Sequence, residues 1–556
     1  MSKKPPTGLG LHEPLRHADH SRPRTRREFV AQGFMSGAAT VVGPSLLGLL
    51  TDPRMARATS LLDAPTLAAV AACGITTGAG KIPFVCFDLA GGGNIAGSNV
   101  LVGGPKGQLD FLSVAGYNKL GLPGSMVPNP SATGNFIDTT FGLRYHSDSA
   151  HLRGMKARVK HATALTNTTG TIIPALSQND TNVNPHNPMY GIYQFGARGG
   201  LLDLIGSDSS MSGGNSMAPM SMMIPSAAPV KISSSSDSKG LVSTGQLTTL
   251  LPPLSNGTNP DVVNVMESMK RISDSKYTQV QAYDTSTTAG AALNAAALGP
   301  TGVQACSYTK SAYIVDKYGS PSAVNPDVDP NIVGATGIFT TAEYQANSDY
   351  QKTAAVMKLV IDGNAAAGTI EMGGFDYHTG DRMTGEARDF NLGNCIGAVL
   401  EYAARVNKPV MIYVFSDGSL ASSGMIDNSV GGRGKGVWTG DNQNVAATYF
   451  LVFDPKAKPT PALSPEMSLQ MGYFNADGSL NTNGSPAGNN VFNLVQMVVL
   501  NYIALHGAGA ETTFASLYPG QGMPGPNLNN TLGTGSALTS LITYQPLASL
   551  VNGKVT

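Results

Sequence analysis

Asp376 and His378 stand two residues apart in Gly373-Gly374-Phe375-Asp376-Tyr377-His378-Thr379-Gly380-Asp381, directly after an apolar run that reads as a strand. In an extended segment, residues two apart point the same way. A carboxylate and an imidazole on one side suit one hard or borderline divalent cation, Zn, Mn, Mg or Ca. A second strand-like run, Val410–Phe415, leads into Ser416-Asp417-Gly418. Asp417 thus follows a strand as Asp376 does, and in open α/β sheets sites gather beyond the carboxyl ends of strands. The same residue types also serve as helix caps and turn residues, so spacing alone leaves both uses open.

The elements that must position these residues read as follows. Ile82–Leu89, Thr163–Thr166, Thr369–Met372, Val410–Phe415 and Ala447–Phe453 are short apolar runs, several of them continuous, as for strands buried on both faces. Asp261–Tyr283, Thr341–Ile361, Gly385–Val406 and Asn489–His506 carry helical periodicity or are apolar throughout. Helix and strand alternate over residues 341–455. The expectation is an α/β fold, a doubly wound, mostly parallel sheet flanked by helices. Residues 207–240 (Ser, Met, Gly, Pro) and 508–540 (Gly, Thr, Asn, Leu) read as long surface insertions from a single large domain, residues 59–556. Met211, Met217, Met220, Met222 and Met223 fall in the first of these. Thioethers suit Cu(I), but a flexible apolar flap or contact surface is the simpler reading.

Charge and the N-terminus bound the function. The chain has 556 residues, 36 basic and 36 acidic, and 13% charged, about half the usual share. A balanced charge excludes a nucleic-acid binder, and 41% hydrophobic residues exclude a disordered chain. Residues 1–58 run from Arg24-Thr25-Arg26-Arg27-Glu28-Phe29 through a mild apolar stretch to Ala56-Arg57-Ala58. That order of charged, apolar and small residues is a signal peptide, and the paired arginines resemble the twin-arginine (Tat) export signal. The Tat translocase is then a partner during export, and the location is periplasmic or extracellular. The apolar stretch is too short and Gly-rich for a stable membrane span. Without residues 1–58 the chain keeps 27 basic and 32 acidic residues, near −5. In an oxidising compartment the four cysteines allow three pairings. Cys86 in a core strand and Cys395 on an apolar helix face read as buried free thiols, leaving Cys73–Cys306 as the expected bridge.

Five motifs in order also carry a family resemblance. Gly373-Gly374-Phe375-Asp376-Tyr377-His378 resembles the G-G-W-D-T-H segment of a Tat-exported family known as domain of unknown function 1501. Val414–Gly418 stands where that family has a strand end of M-S-E-F-G-R type. Asn428 with Gly431–Gly436 stands where it has N-G-S-G-G-T-D-H-G. Phe87–Asn94 resembles its L-R-G-G-N-D, and Asn184-Pro185-His186 through Gly196 resembles S-R-S-H-F…W-Q-T-G. The family is grouped with the alkaline phosphatase and sulfatase clan, which implies metals at strand ends and hydrolysis of phosphate or sulfate esters. It implies Asp376, His378, Asp417 and Asn94 as metal ligands, His186 as a catalytic residue, and Ser177 or Thr181 as the nucleophile.

The departures point the other way. Asn94 replaces an acid, and Gly434-Lys435 replaces an Asp-His pair. A protonated ammonium cannot ligate a cation, so Lys435 either neutralises the acids or holds an anionic ligand. The expected function is a degenerate, non-catalytic exported protein that binds a small anionic ligand or a protein partner; the alternative is a metal-dependent phosphate- or sulfate-ester hydrolase.

Overall fold

A computed structural model describes residues 60–555, apart from residues 74, 76–77, 130–134, 178–183, 244–246, 253, 255–257, 278–285, 299–301 and 520–531. The proposed signal peptide and Thr181 lie outside the described residues. The described residues divide into two compact units where one domain was expected: residues 60–75 with 244–320, and 76–243 with 321–555.

The first unit is helical. Asp63 caps the helix Ala64–Ala72 by accepting from the Thr66 N–H. Helices Pro260–Tyr277 and Val303–Tyr318 enclose a small core with it, built from Leu62, Val70, Val262, Val263, Met266, Ala312, Tyr313 and Val315. Cys73 and Cys306 are bonded as expected, with their Cα atoms 5.4 Å apart. A separate apolar core and a private cross-link explain why these helices stand apart. Nothing in their composition marks a boundary.

The second unit holds the strands: β1 Phe84–Leu89, the short pair β2 Ile137–Asp138 and β3 Tyr145–His146, β4 Thr168–Pro174, β5 Leu202–Gly206, β6 Val230–Lys231, β7 Ala365–Met372, β8 Val410–Ser416, β9 Leu420–Asp427, β10 Lys435–Asp441, β11 Ala447–Phe453, and the terminal pair β12 Leu550–Val551 and β13 Lys554–Val555. Seven of them make one sheet in the order β4-β11-β8-β1-β7-β5-β6. β1 is parallel to β7 and β8, and β5 is parallel to β6 and β7. β11 runs against both β8 and β4, so the sheet is mostly parallel. Every residue of β1, β4, β8 and β11 is buried, which is why β8 and β11 are apolar almost throughout, whereas β4 also buries three threonines and β1 buries Asp88. Helices flank the sheet. Val491–Ala504, capped by Asn490 through the Phe492 and Asn493 N–H groups, shares a core with Phe84, Tyr413 and Phe450.

Four local expectations are corrected. Thr163–Thr166 is part of a helical turn, Ala162–Thr166, and the strand begins at Thr168. Thr341–Ile361 is two helices, because Asn347 leaves helical geometry and its side chain caps the second one. Residues 207–240 are not a surface insertion. They supply edge strand β6 and bury Ser212, Ser216 and Met222, while Met220 is exposed, so the methionines do not share one face. Residues 508–540 likewise send Phe514, Tyr518 and Leu538 into the core. Small and hydroxylated residues in both stretches read as loop because Gly, Ser and Thr fill tight gaps as readily as they face water.

The cross-link yields a first prediction. It ties residues 233 positions apart, and cross-links over long loops contribute about 2–4 kcal/mol. Cys73→Ser should weaken the helical unit by about that amount in urea unfolding under oxidising conditions. Added reductant should do the same to the wild type. Equal midpoints for variant and wild type would contradict it.

Candidate metal centre

β7 ends at Met372, and the chain turns at Gly373 and Gly374, the latter with φ +81°. Beyond the turn Phe375 and Tyr377 point inward and are buried. The Tyr377 hydroxyl donates to Asp389 Oδ1 at 3.0 Å and accepts from the Asn94 N–H at 2.9 Å. With the tyrosine fixed, its neighbours Asp376 and His378 face outward, with side chains 50% and 40% exposed. Their backbone also rests on Gly91, where a Cβ would stand 2.8 Å from Asp376 Cβ and where φ is +112°. Both facts demand glycine at position 91.

His378 Nε2 lies 2.6 Å from Asp376 Oδ1 and 3.8 Å from Asp441 Oδ1. Asp441 closes β10, which folds back on β9 so that it pairs with Leu420, and the Asn442 N–H donates to Ser419 O. One ligand atom from each of Asp376, His378 and Asp441 lies within 4.8 Å of the other two. Two carboxylates and an imidazole are a sound donor set for Zn or Mn, and weaker for Ca or Mg, which favour all-oxygen shells. At 2.6 Å the carboxylate and the imidazole are within hydrogen-bond distance, and a cation would bind them in their deprotonated forms.

Asp441 was missed in the sequence. It follows Asp417 by 24 residues in Thr439-Gly440-Asp441-Asn442, which reads as a turn. The hairpin alone brings it to Asp376. Asp88 was missed as well. It is a single acid in an apolar strand, fully buried, and it accepts from both the N–H and the hydroxyl of Ser216 at 2.7 Å. Burial pushes its carboxyl up to about 7, with Asp417 and Glu371 adding to the rise and the Ser216 bonds opposing it.

The other expected site residues are placed differently. Asp417 is buried and does not join the cluster: Oδ1 accepts from the Gly91 N–H at 2.9 Å and Oδ2 from Asn215 Nδ2 at 2.7 Å. Each of its oxygens accepts from a protein donor, and it is not among the clustered side chains. Asn94 is also buried, with its amide donating to Leu420 O at 3.0 Å. Lys435 is fully buried, donating to Glu386 Oε1 at 2.8 Å and to the Asp148 carbonyl at 2.6 Å. It neutralises acids, as one of its two expected roles had it, but those acids are Glu386 and Asp148 rather than the cluster's. It has no path to an external anion.

Arg382 and Arg153 reach Glu386 too, and Arg433 reaches Asp148. Burial works against Glu386, yet Arg382 and Lys435 hold its carboxyl below the ordinary value. Burial likewise opposes Asp148, which Arg433 and Lys435 bring down to about 2.

His186 is 1% exposed, and its ring lies flat against Phe415 at 6.1 Å. Neither ring nitrogen has a hydrogen-bond partner. Burial pushes its pKa down to about 3, so the ring is neutral. The Ser177 hydroxyl donates to Ser416 O at 3.3 Å, not to His186. His186 and Ser177 are therefore not hydrogen-bonded to each other.

Cys86 and Cys395 are buried free thiols, as expected. Among the described residues, no helix is long and apolar enough to cross a membrane. Compared with protein-family models, with curated proteins and with solved structures, the chain matches none.

Two predictions follow from the buried charges. Lys435→Met breaks a buried pair and should destabilise the protein by about 2–4 kcal/mol, without weakening cation binding. Because Glu386 and Asp148 are held low, their contribution is complete above about pH 4.5 and lost as pH falls toward 2. The variant should show a shallower loss in acid unfolding.

Asp88 has the opposite sign. The folded state holds its proton up to about pH 7, whereas the unfolded chain releases it near 3.9. Stability therefore falls as pH rises from about 4 to 7, by at most about 4 kcal/mol. Asp88→Asn should flatten that slope in denaturation at stepped pH; an unchanged slope would assign it to other groups.

Proposed function

We propose that the chain is an exported, non-catalytic binding protein that takes one divalent cation at Asp376, His378 and Asp441 and presents it to an anionic ligand or protein partner. One observation carries this reading. The cluster is built by two separate elements, the turn after β7 and the end of β10, and its donor atoms meet at the surface. A cation there keeps coordination positions for a ligand. Export is supported by the order of residue types over residues 1–58. Membership of the alkaline phosphatase and sulfatase clan is supported by the five motifs and agrees with a mostly parallel sheet flanked by helices.

The non-catalytic reading is favoured because the residues offered for catalysis serve other ends. His186 has no partner and Ser177 serves the backbone of Ser416. Asp417 and Lys435 are consumed by internal bonds. The hydrolase reading keeps one point in its favour: an exposed cation with open positions can activate water.

Calorimetric titration of chelator-treated protein with Zn²⁺ or Mn²⁺ tests the proposal. One equivalent should bind. Asp376→Ala, His378→Ala and Asp441→Ala should each weaken binding at least tenfold, with stability changed by no more than about 0.5 kcal/mol, since all three side chains are exposed. Binding that survives Asp441→Ala, or no binding to the wild type, would overturn the site. Turnover of an aryl phosphate or sulfate that disappears in these variants would replace the non-catalytic reading with the hydrolase.

A further inference from the structure

The segment that leaves β11 lies along the outer edge of β4, the last strand on that side of the sheet. It carries Pro459, Pro461 and Pro465, each with φ fixed by its ring. Backbone pairing holds it: Pro461 bridges Tyr544, the Ala462 N–H donates to Thr543 O, and the Gln545 N–H donates to Thr460 O. Pro465 then opens the helix Pro465–Leu469, at a position where no N–H is needed. Tyr544 is fixed as well. Its hydroxyl donates to Gly170 O at 2.5 Å and meets the Thr169 hydroxyl at 3.0 Å, and its ring stands edge-on to Phe450. These groups do not close on one another. A cavity of about 320 Å³ remains, with the buried Tyr544 and Thr169 beneath it and the three prolines and Leu469 around it. That volume lies at the small end of ligand sites. Flexible side chains would collapse into such a space, whereas proline rings and a tyrosine tied by its hydroxyl keep it open.

Two polar side chains of the lining have nothing to bind. Lys458 and Thr460 both line the cavity and both are exposed, which places them at its rim. Among the described residues, the Lys458 ammonium has no carboxylate partner and the Thr460 hydroxyl has no hydrogen-bond partner. The acids nearest to Lys458 along the chain are engaged elsewhere. Asp454 accepts from the Lys456 and Ser549 N–H groups, and Glu466 pairs with Arg144 at 2.6 Å. An apolar cavity therefore ends in one uncompensated positive charge with a hydroxyl beside it.

We propose that this cavity binds a small organic carboxylate, with its apolar body against the prolines and Tyr544 and its carboxylate at Lys458 and Thr460. The walls supply contact area but no orientation. The ammonium supplies a compact point charge and the hydroxyl a second donor, so one end of the ligand is specified by charge and the other by size. A single ammonium balances a single negative charge, which favours a carboxylate over a phosphate dianion. The site shares no residue with the cluster of Asp376, His378 and Asp441, so it needs no bound cation.

Calorimetric titration of the full chain in EDTA tests this, with hexanoate and 3-phenylpropionate as probes and hexanol and 3-phenylpropanol as their neutral counterparts. EDTA keeps the cation cluster empty, so that cluster cannot supply the binding. At least one acid should bind with one equivalent, and its alcohol should bind about tenfold more weakly or worse, the loss expected for a hydrogen bond to a charged group. Acetate, which has the head without the body, should also bind more weakly than the acid. Lys458→Met should bring the acid down to the affinity of the alcohol and leave the alcohol unchanged, while Lys458→Arg should keep most of the acid's affinity. Lys458 is exposed, so neither substitution should move the unfolding midpoint. Leu469→Trp, which crowds the cavity, should weaken acid and alcohol together. The inference is overturned if neither acid binds, if acid and alcohol bind equally, or if Lys458→Met leaves the acid unchanged. Tighter binding of hexyl phosphate than of hexanoate would overturn the carboxylate assignment.

Discussion

A carboxylate taken out of water must find hydrogen-bond donors or a counter-charge, or give up its negative charge. That requirement organises the sheet's carboxyl end. Asp88 is met by Ser216, Asp417 by Gly91 and Asn215, Asp389 by Asn99 and Tyr377, and Glu386 by Lys435 and Arg382. In most of these pairs the donor lies far along the chain from the acid. Each pair therefore fixes where a connecting segment must lie. Ser216 and Asn215 are adjacent, so one short stretch is held by two acids on different strands. That is how a Ser- and Met-rich segment becomes part of the framework.

The same requirement separates the acids by role. Asp417 and Glu386 are satisfied by the protein. Asp376 and Asp441 are half exposed and have only His378 between them. Two negative charges so close are costly unless something positive joins them. A buried ammonium such as Lys435 is a permanent solution to that problem, whereas an exchangeable cation is a conditional one. Lys435 supplies the first inside, and the exposed acids at the rim could take the second.

Much of the framework was legible because its strands are buried on both faces. Ala447–Phe453 was readable end to end, and β1, β7 and β8 to within a few residues, since a continuous apolar run leaves little choice. The thiols were legible for the same reason: Cys86 and Cys395 sit in apolar surroundings, which left Cys73 and Cys306. β5 and β6 were not legible, being short, with Asp203 inside β5 and Lys231 ending β6. Thr163–Thr166 was misread because β-branched residues carry a strand signal that a single helical turn overrides. The two units share helical periodicity, so periodicity could not divide them. At the site, Asp376 and His378 were readable because both sit on one extended segment. Asp441 was not, because its proximity is a product of a hairpin register with two irregularities, which no local pattern encodes. Lys435 carried a true signal, a charge in place of a ligand, but spacing could not say which acids it would meet.

The motif positions themselves bear on what kind of site this is. On the family resemblance, Asn94, Asp417 and Lys435 occupy ligand positions. Here all three are buried; Asp417 and Lys435 spend their polar atoms on the protein's own groups, while Asn94 donates its amide to Leu420 O and its Oδ1 accepts no hydrogen bond. Removing a ligand from a buried multi-cation centre leaves uncompensated acids, and the remaining acids then need donors of their own. Gly91, Asn215 and Lys435 are such donors. The exposed cluster consists instead of Asp376 and His378, joined by Asp441 from a hairpin. A cation held there contributes little to the stability of the sheet, and its affinity is set by solution conditions and by whatever ligand shares its coordination.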